Sequence, residues 1–231
     1  MKIKLSNPLI LCSAALLLIA SCGSHNYYTS SSFEQQTRTH KIIAILPAEM
    51  IFTGVPPKNI TPDQIAKIEE TESTTFQNSL FNGILNHANS KKYTTYISVQ
   101  DISTTLKLLQ ENNIGVRQSW KEDDKKLANL LGVDAVVRMR IQKKRYMSDL
   151  ASMGIDMGTQ VLSTISGGRL PVPYVSSKTN DLYASCNVIS DGRTLWNDSY
   201  RGSTDYNSSS EDLVNNITDL FGRHFPYRKR R

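Results

Sequence analysis

Cysteine is scarce in this chain: three residues in 231, Cys12, Cys22 and Cys186. Cys12 lies inside an amino-terminal apolar run and Cys22 at its end. Cys186 is therefore left without an intramolecular partner, which excludes a disulfide framework even in an oxidising compartment. Its apolar, strand-like surroundings predict a small buried hydrophobe rather than a reactive thiol. Histidine is also sparse. His25, His40, His87 and His224 show no metal-ligand spacing, and His25 and His40 fall in or beside a polar stretch, as surface residues do. No Gly-x-Ser-x-Gly element, phosphate-binding loop or dinucleotide fingerprint occurs. The acids Asp123-Asp124 and Glu69-Glu70-Glu72 sit on expected helix faces, with nothing to bring them together in a cleft as paired-carboxylate catalysis requires. These absences leave no catalytic residues, no metal site and no cofactor to expect, and the chain reads as a non-enzyme. No internal repeat is visible.

Composition is that of an ordinary globular protein, with 39% hydrophobic and 21% charged residues. At the amino terminus Lys2 and Lys4 precede an apolar run, Leu9 to Ile19, that is too short and wrongly flanked for a stable transmembrane helix. This is the pattern of a secretory signal peptide. The run closes in Ile19-Ala20-Ser21-Cys22-Gly23, which resembles the bacterial lipoprotein box. The resemblance implies cleavage before Cys22, diacylation of its side chain and acylation of the new amino group; an ordinary cleavage site that happens to precede Cys is the alternative. One acyl chain binds a bilayer marginally and two hold firmly. Gly23 rather than Asp after the Cys implies the outer membrane, and the absence of an acidic cluster over 23–28 implies its periplasmic face. Loss of residues 1–21 removes two lysines and no acid, so the formal net charge falls from +6 to +4. About 210 residues remain, enough for one domain.

Residues 22–39 then read as the anchor and a flexible Ser/Thr-rich tether, and 40–227 as one α/β domain. Lys41 to Pro47 suits a buried strand ended by proline, followed by a loop holding Gly54-Val55-Pro56-Pro57. Thr61-Pro62 starts a long helix that runs to about Asn89, and the polar stretch Glu69 to Ser73 suggests that its first two turns project beyond the core. Tyr93 to Val99 reads as the second strand. Asp101 caps a short helix ended by Asn112-Asn113, and Ser119 opens another stopped by Gly132. Val133 to Lys144 is the third strand, with Ala135, Val137, Met139 and Ile141 on one face and Val136, Arg138, Arg140 and Gln142 on the other. Residues 147–180 form an insert with a helical stripe that includes Met153 and Met157. Asp181–Ser190 and Arg193–Thr204 make a hairpin around Asp191-Gly192, and Ser209 or Ser210 caps a final helix. The predicted class is α/β (α+β), a single mixed sheet flanked by helices in the order β-α-β-α-α-β-insert-β-β-α.

Together with the lipid signal this order resembles a group of envelope lipoproteins with a shared α/β domain: the amino-terminal domain of TolB, the penicillin-binding-protein activator lipoprotein and the curli-secretion lipoprotein. Ile42 to Pro47, Leu127-Ala128-Asn129-Leu130-Leu131-Gly132-Val133-Asp134-Ala135 and Gly192-Arg193-Thr194-Leu195-Trp196 carry the resemblance. The insert departs from it and, being helical rather than alternating, does not suggest a membrane pore.

Three features offer binding. Arg138 and Arg140 with the following Lys143-Lys144-Arg145 make a basic strand face, either solvated or a docking surface for an acidic partner. The tail Arg228-Lys229-Arg230-Arg231 either aids solubility or meets anionic lipid headgroups; export removes nucleic acid as a partner. The stripe with Met153 and Met157 either covers the sheet or binds a partner or a second copy. The resulting expectation is a lipoprotein adaptor that scaffolds, activates or assembles an envelope partner, or alternatively a homo-oligomeric secretion or transport component.

Overall fold

The computed structural model describes residues 27–54, 61–88, 93–145, 180–204 and 210–230. Cys22 and the insert with Met153 and Met157 lie outside them.

The fold is organised by strand β6 (Ala135–Arg145). It runs parallel to β2 (Ile42–Ile45) and β3 (Glu49–Gly54) on one side, and antiparallel to β7 (Asn180–Ser190) on the other. β7 pairs with β8 (Arg193–Thr204), and β8 with the short β1 (Tyr28–Thr29); β5 (Ser98–Val99) flanks β2. The result is the mixed α/β sheet expected, with seven strands among the described residues. The hairpin forms where predicted, because Asp191 and Gly192 both hold the positive φ that a two-residue turn demands (49° and 71°).

Both faces of the sheet are covered. Ala135, Val137, Met139 and Ile141 are fully buried beneath helices α2 (Pro62–Ala88) and α6 (Ser210–His224). Val136 instead joins Ala44, Leu46 and Ile189 beneath α3 (Ile102–Glu111) and α5 (Asp124–Leu131), against Leu109, Leu127 and Leu131. Helix starts follow from the sequence. Thr61 and Gln64 bond reciprocally as a capping box ahead of Pro62, and the Asp101 carboxylate accepts from the Ser103 N–H at 2.8 Å. Gly132 stops α5 in the left-handed conformation. Cys186 is wholly buried, as anticipated, and burial pushes its thiol far above the usual range.

Several expectations change. The first strand ends at Ile45, just before Pro47 as expected, but the chain does not leave the sheet there. Ile45 lies opposite Val137 and Glu49 opposite Arg140, so four steps on one strand match three on the other. Pro47 falls in this one-residue bulge, where its missing N–H costs no ladder bond, and β3 follows instead of a loop. The expected strand Tyr93–Val99 divides between two sheets. β4 (Tyr93–Thr95) pairs with β9 (Arg228–Arg230) in a separate ribbon, while β5 stays in the main sheet. Ser119 ends a short helix, α4 (Val116–Ser119), and Asp123 caps α5 by accepting from the Lys126 N–H at 2.9 Å. The first turns of α2 are largely exposed, as expected, while Glu69 in the polar stretch that follows is buried and pairs with Arg117.

Most of the expected tether, residues 27–39, belongs to the fold. β1 adds to the sheet, and α1 (Phe33–Gln36) buries Phe33 against Tyr227 with ring centroids 5.3 Å apart. Trp196, Phe225, Tyr227 and Tyr96 continue this aromatic cluster by edge and tilted contacts of 5.7–5.9 Å.

Helices α2 and α6 meet at glycines. A Cβ on Gly222 would lie 2.5 Å from the Gly83 carbonyl, and one on Gly83 would lie 2.7 Å from the Thr218 oxygen. Gly222→Ala is expected to destabilise by about 1–3 kcal/mol through overpacking. This outweighs the gain of about 1 kcal/mol that alanine brings to a helix. Urea unfolding of the two proteins measures the difference.

Candidate functional site

A cleft of about 860 Å3 lies at the amino ends of β2 and β6, beside the hairpin turn. Its polar wall includes His40, Asp134, Ser190, Lys125, Asp191 and Arg193. His40 was expected at the surface; the docked segment 27–39 half-buries it instead. One ring nitrogen, Nδ1, is 2.7 Å from the Tyr227 hydroxyl, and Nε2 is 3.4 Å from Ser190 Oγ. The constellation looks like a Ser–His arrangement, but its protons are committed elsewhere. Ser190 donates to the Asp134 carbonyl at 2.9 Å, so its hydroxyl is not aimed at the imidazole. The Asp134 carboxylate accepts from the Lys41 and Ile42 N–H groups at 2.7 and 2.9 Å instead of orienting His40. Desolvation pushes that carboxyl up, yet these two donors, with His40 and Lys41 nearby, hold it below the usual range. Burial pushes the Tyr227 hydroxyl well above its range, which keeps it a neutral partner for His40. The cluster knits the start of β2 to the start of β6 and to the carboxy-terminal segment.

Of the predicted basic strand face, Arg138 and Arg140 are both paired with acids. Arg138 is largely buried: its guanidinium contacts Asp124 at 2.6 Å and donates to the carbonyls of Ser119, Trp120 and Glu122 at 3.0–3.2 Å. It ties the loop between α4 and α5 to the sheet. Arg140 is exposed but is gripped by Glu49 on β3 with bonds of 2.9 and 3.2 Å. Parallel pairing of β3 with β6 put an acid beside it, and the sequence placed no strand at Glu49 to reveal this.

Arg228–Arg230 of the basic tail are likewise placed by the fold, and Arg231 lies outside the described residues. Phe225 and Tyr227 are buried and fix β9 against β4, with Arg228 opposite Thr95 and Lys229 opposite Thr94. Arg228 lies 5.1 Å over the Tyr93 ring and Lys229 4.8 Å over Tyr96, on opposite faces of the ribbon. Arg228 also donates to the carbonyls of Phe225 and His87. Its charge lies close enough to Tyr27 for the two to interact.

A second, more apolar groove of about 420 Å3 runs between α2 and α6 at the far end of the sheet, lined by Glu72, Phe76, Lys143, Leu182, Leu213 and Val214. Desolvation raises the Glu72 carboxyl there, opposed by Lys143. Among the described residues no cluster of three potential ligands is placed to hold a metal ion, and no helix is long and apolar enough to cross a membrane.

No family model and no curated protein matches the chain by sequence. Its fold is similar to several solved structures. The PelC dodecamer from Paraburkholderia phytofirmans matches at 8% identity and TM-score 0.40, over 86% of this chain and 93% of that one. Lipoprotein GNA1162 from Neisseria meningitidis matches at 13% identity and TM-score 0.36, over 79% and 94%. The LpoB carboxy-terminal domain from Salmonella enterica matches at 10% identity and TM-score 0.34, over 75% and 92%. A lipoprotein is thus among the similar structures. At these scores the likeness is one of overall chain path, and function rests on this chain's own residues.

Arg138→Met keeps the aliphatic stem and removes the charge. Expected is a loss of about 2–3 kcal/mol in unfolding free energy by urea titration, less than the 3–5 kcal/mol of fully buried pairs because Asp124 keeps some access to water. A second expectation concerns pH. Desolvation lowers the His40 proton affinity below its ordinary value of 6.5, against the opposing charges of Asp134 and Asp191. The unfolded chain therefore binds that proton more readily, so the contribution of His40 is complete above 6.5 and shrinks as pH falls below it. His40→Gln should flatten the stability profile between about pH 6.5 and 5, read by urea titrations of both proteins across that range.

Proposed function

We propose that this chain is a lipid-anchored envelope protein that acts by presenting its α/β domain to a protein partner, without catalysing a reaction of its own. The periplasmic face of the outer membrane is the place assigned to it. The observation that carries this reading is Ile19-Ala20-Ser21-Cys22-Gly23 at the close of a signal-like apolar run. Two acyl chains at Cys22 hold the domain on its bilayer, and confinement raises its effective concentration toward any partner on the same membrane. The committed protons of the His40 cluster support a non-catalytic role. So does the internal pairing of Arg138, which leaves that side chain to the fold.

A homo-oligomeric secretion or transport component is the second reading. It is favoured by β3, which pairs with β6 on one side and carries the half-exposed Ile51 and Phe52 toward the sheet's margin. Light scattering coupled to size-exclusion chromatography distinguishes the two, since a stable ring of copies contradicts a monomeric adaptor.

Expected for the anchor is incorporation of labelled palmitate into the wild-type chain in growing cells and its loss in Cys22→Ser, with the variant retaining its signal segment. Crosslinking in intact cells followed by mass spectrometry then names the partner; capture of copies of the chain alone supports the oligomer.

A further inference from the structure

We infer that the ribbon formed by Tyr93–Thr95 and Arg228–Arg230, with Tyr27 beside it, is the face by which the domain rests on anionic lipid headgroups. The inference rests on the lipid anchor proposed above and adds an orientation to it. Five residue steps separate Cys22 from Tyr27, the first described residue, so the chain between them spans at most about 18 Å. An acylated Cys22 therefore holds Tyr27 within roughly that distance of the bilayer surface. This is close for a domain of this size, and whatever surrounds Tyr27 faces the headgroups.

The surroundings have the chemistry of a membrane interface. Tyr27 stacks on His224 with centroids 5.4 Å apart and remains 52% exposed. Arg228 lies over Tyr93, itself 38% exposed, and within electrostatic reach of Tyr27. Lys229 is exposed on the other side of the same ribbon. Amphipathic aromatic rings concentrate at headgroup level, and basic side chains near a bilayer are drawn to anionic lipid within a Debye length. Aromatics alone would suit many partners. The combination with a basic strand, at the point where the anchored segment enters the fold, selects the lipid surface. A ribbon held in place by the buried Phe225 and Tyr227 presents these groups without ordering a floppy tail first.

Hydroxyl-radical footprinting of the full lipidated chain tests this on vesicles of phosphatidylcholine alone and of phosphatidylcholine with phosphatidylglycerol. Tyr27 and Tyr93 are expected to be modified several-fold more slowly on the anionic vesicles. Exposed Ile68 and Leu85 on α2 should be unchanged and serve as internal controls. Arg228→Glu with Lys229→Glu should erase the protection while circular dichroism and the melting temperature report an intact fold.

Equal modification of Tyr27 and Tyr93 on both vesicles, with the chain still floating with the lipid, overturns the inference and leaves the anchor standing. Protection that survives the double charge reversal also overturns it, pointing to contact with another protein copy. A wild-type chain that fails to float with neutral vesicles refutes the anchor. Protection confined to anionic vesicles in that case would still uphold the ribbon as a lipid-binding face.

Discussion

Strand β6 must satisfy two environments at once, and the rest of the domain follows from how it does so. Its period of two sends Ala135, Val137, Met139 and Ile141 under the α2–α6 pair and Val136 under α3 and α5. A long basic side chain in the second row, Arg138, has to be neutralised where the covering helices stop short of it. The chain meets that demand with Asp124 and three main-chain carbonyls, and thereby fastens the loop between α4 and α5. A single alternation thus places both layers and pins the connection between α4 and α5.

The second organising contact is the aromatic cluster around Tyr227. It gathers chain ends separated by nearly the whole sequence: Phe33 from the amino-terminal segment, Tyr96 from the strand region, Trp196 from the hairpin and Phe225 from the carboxy terminus. Buried aromatic rings contribute large apolar area with defined geometry. Docking Phe33 shortens the free tether, and docking Tyr227 turns a basic tail into a strand. The same cluster half-buries His40, so a residue beside an expected tether becomes part of the wall of a cleft.

These placements change what the molecule can offer a partner. Arg138 and Arg140 on β6 are used internally or by the neighbouring strand, while on the terminal ribbon Arg228 lies over the exposed Tyr93 and Lys229 over the half-buried Tyr96. Function read from charge counts would have favoured the first group. Geometry favours the second, because charge works at a surface only where no acid is already opposite it and where the backbone holds it in place.

Much of the fold was legible in local sequence. Capping at Thr61, Asp101 and Gly132, the Asp191-Gly192 turn and the alternation of Ala135 to Ile141 each arise from interactions within a few residues or from a fixed period, so the chain alone determined them. The signal-like run ending at Cys22 belongs to the same class, since it is read as a linear pattern. Tertiary structure decided the rest. The bulge at Pro47 that continues into β3, the splitting of Tyr93 to Val99 between two sheets, the burial of Phe33 and Glu69, and the close crossing at Gly83 and Gly222 all depend on partners distant in sequence. No local window contains the strand, carboxylate or helix that completes each of them. For that reason the elements could be named in advance, while the surfaces they leave open could not.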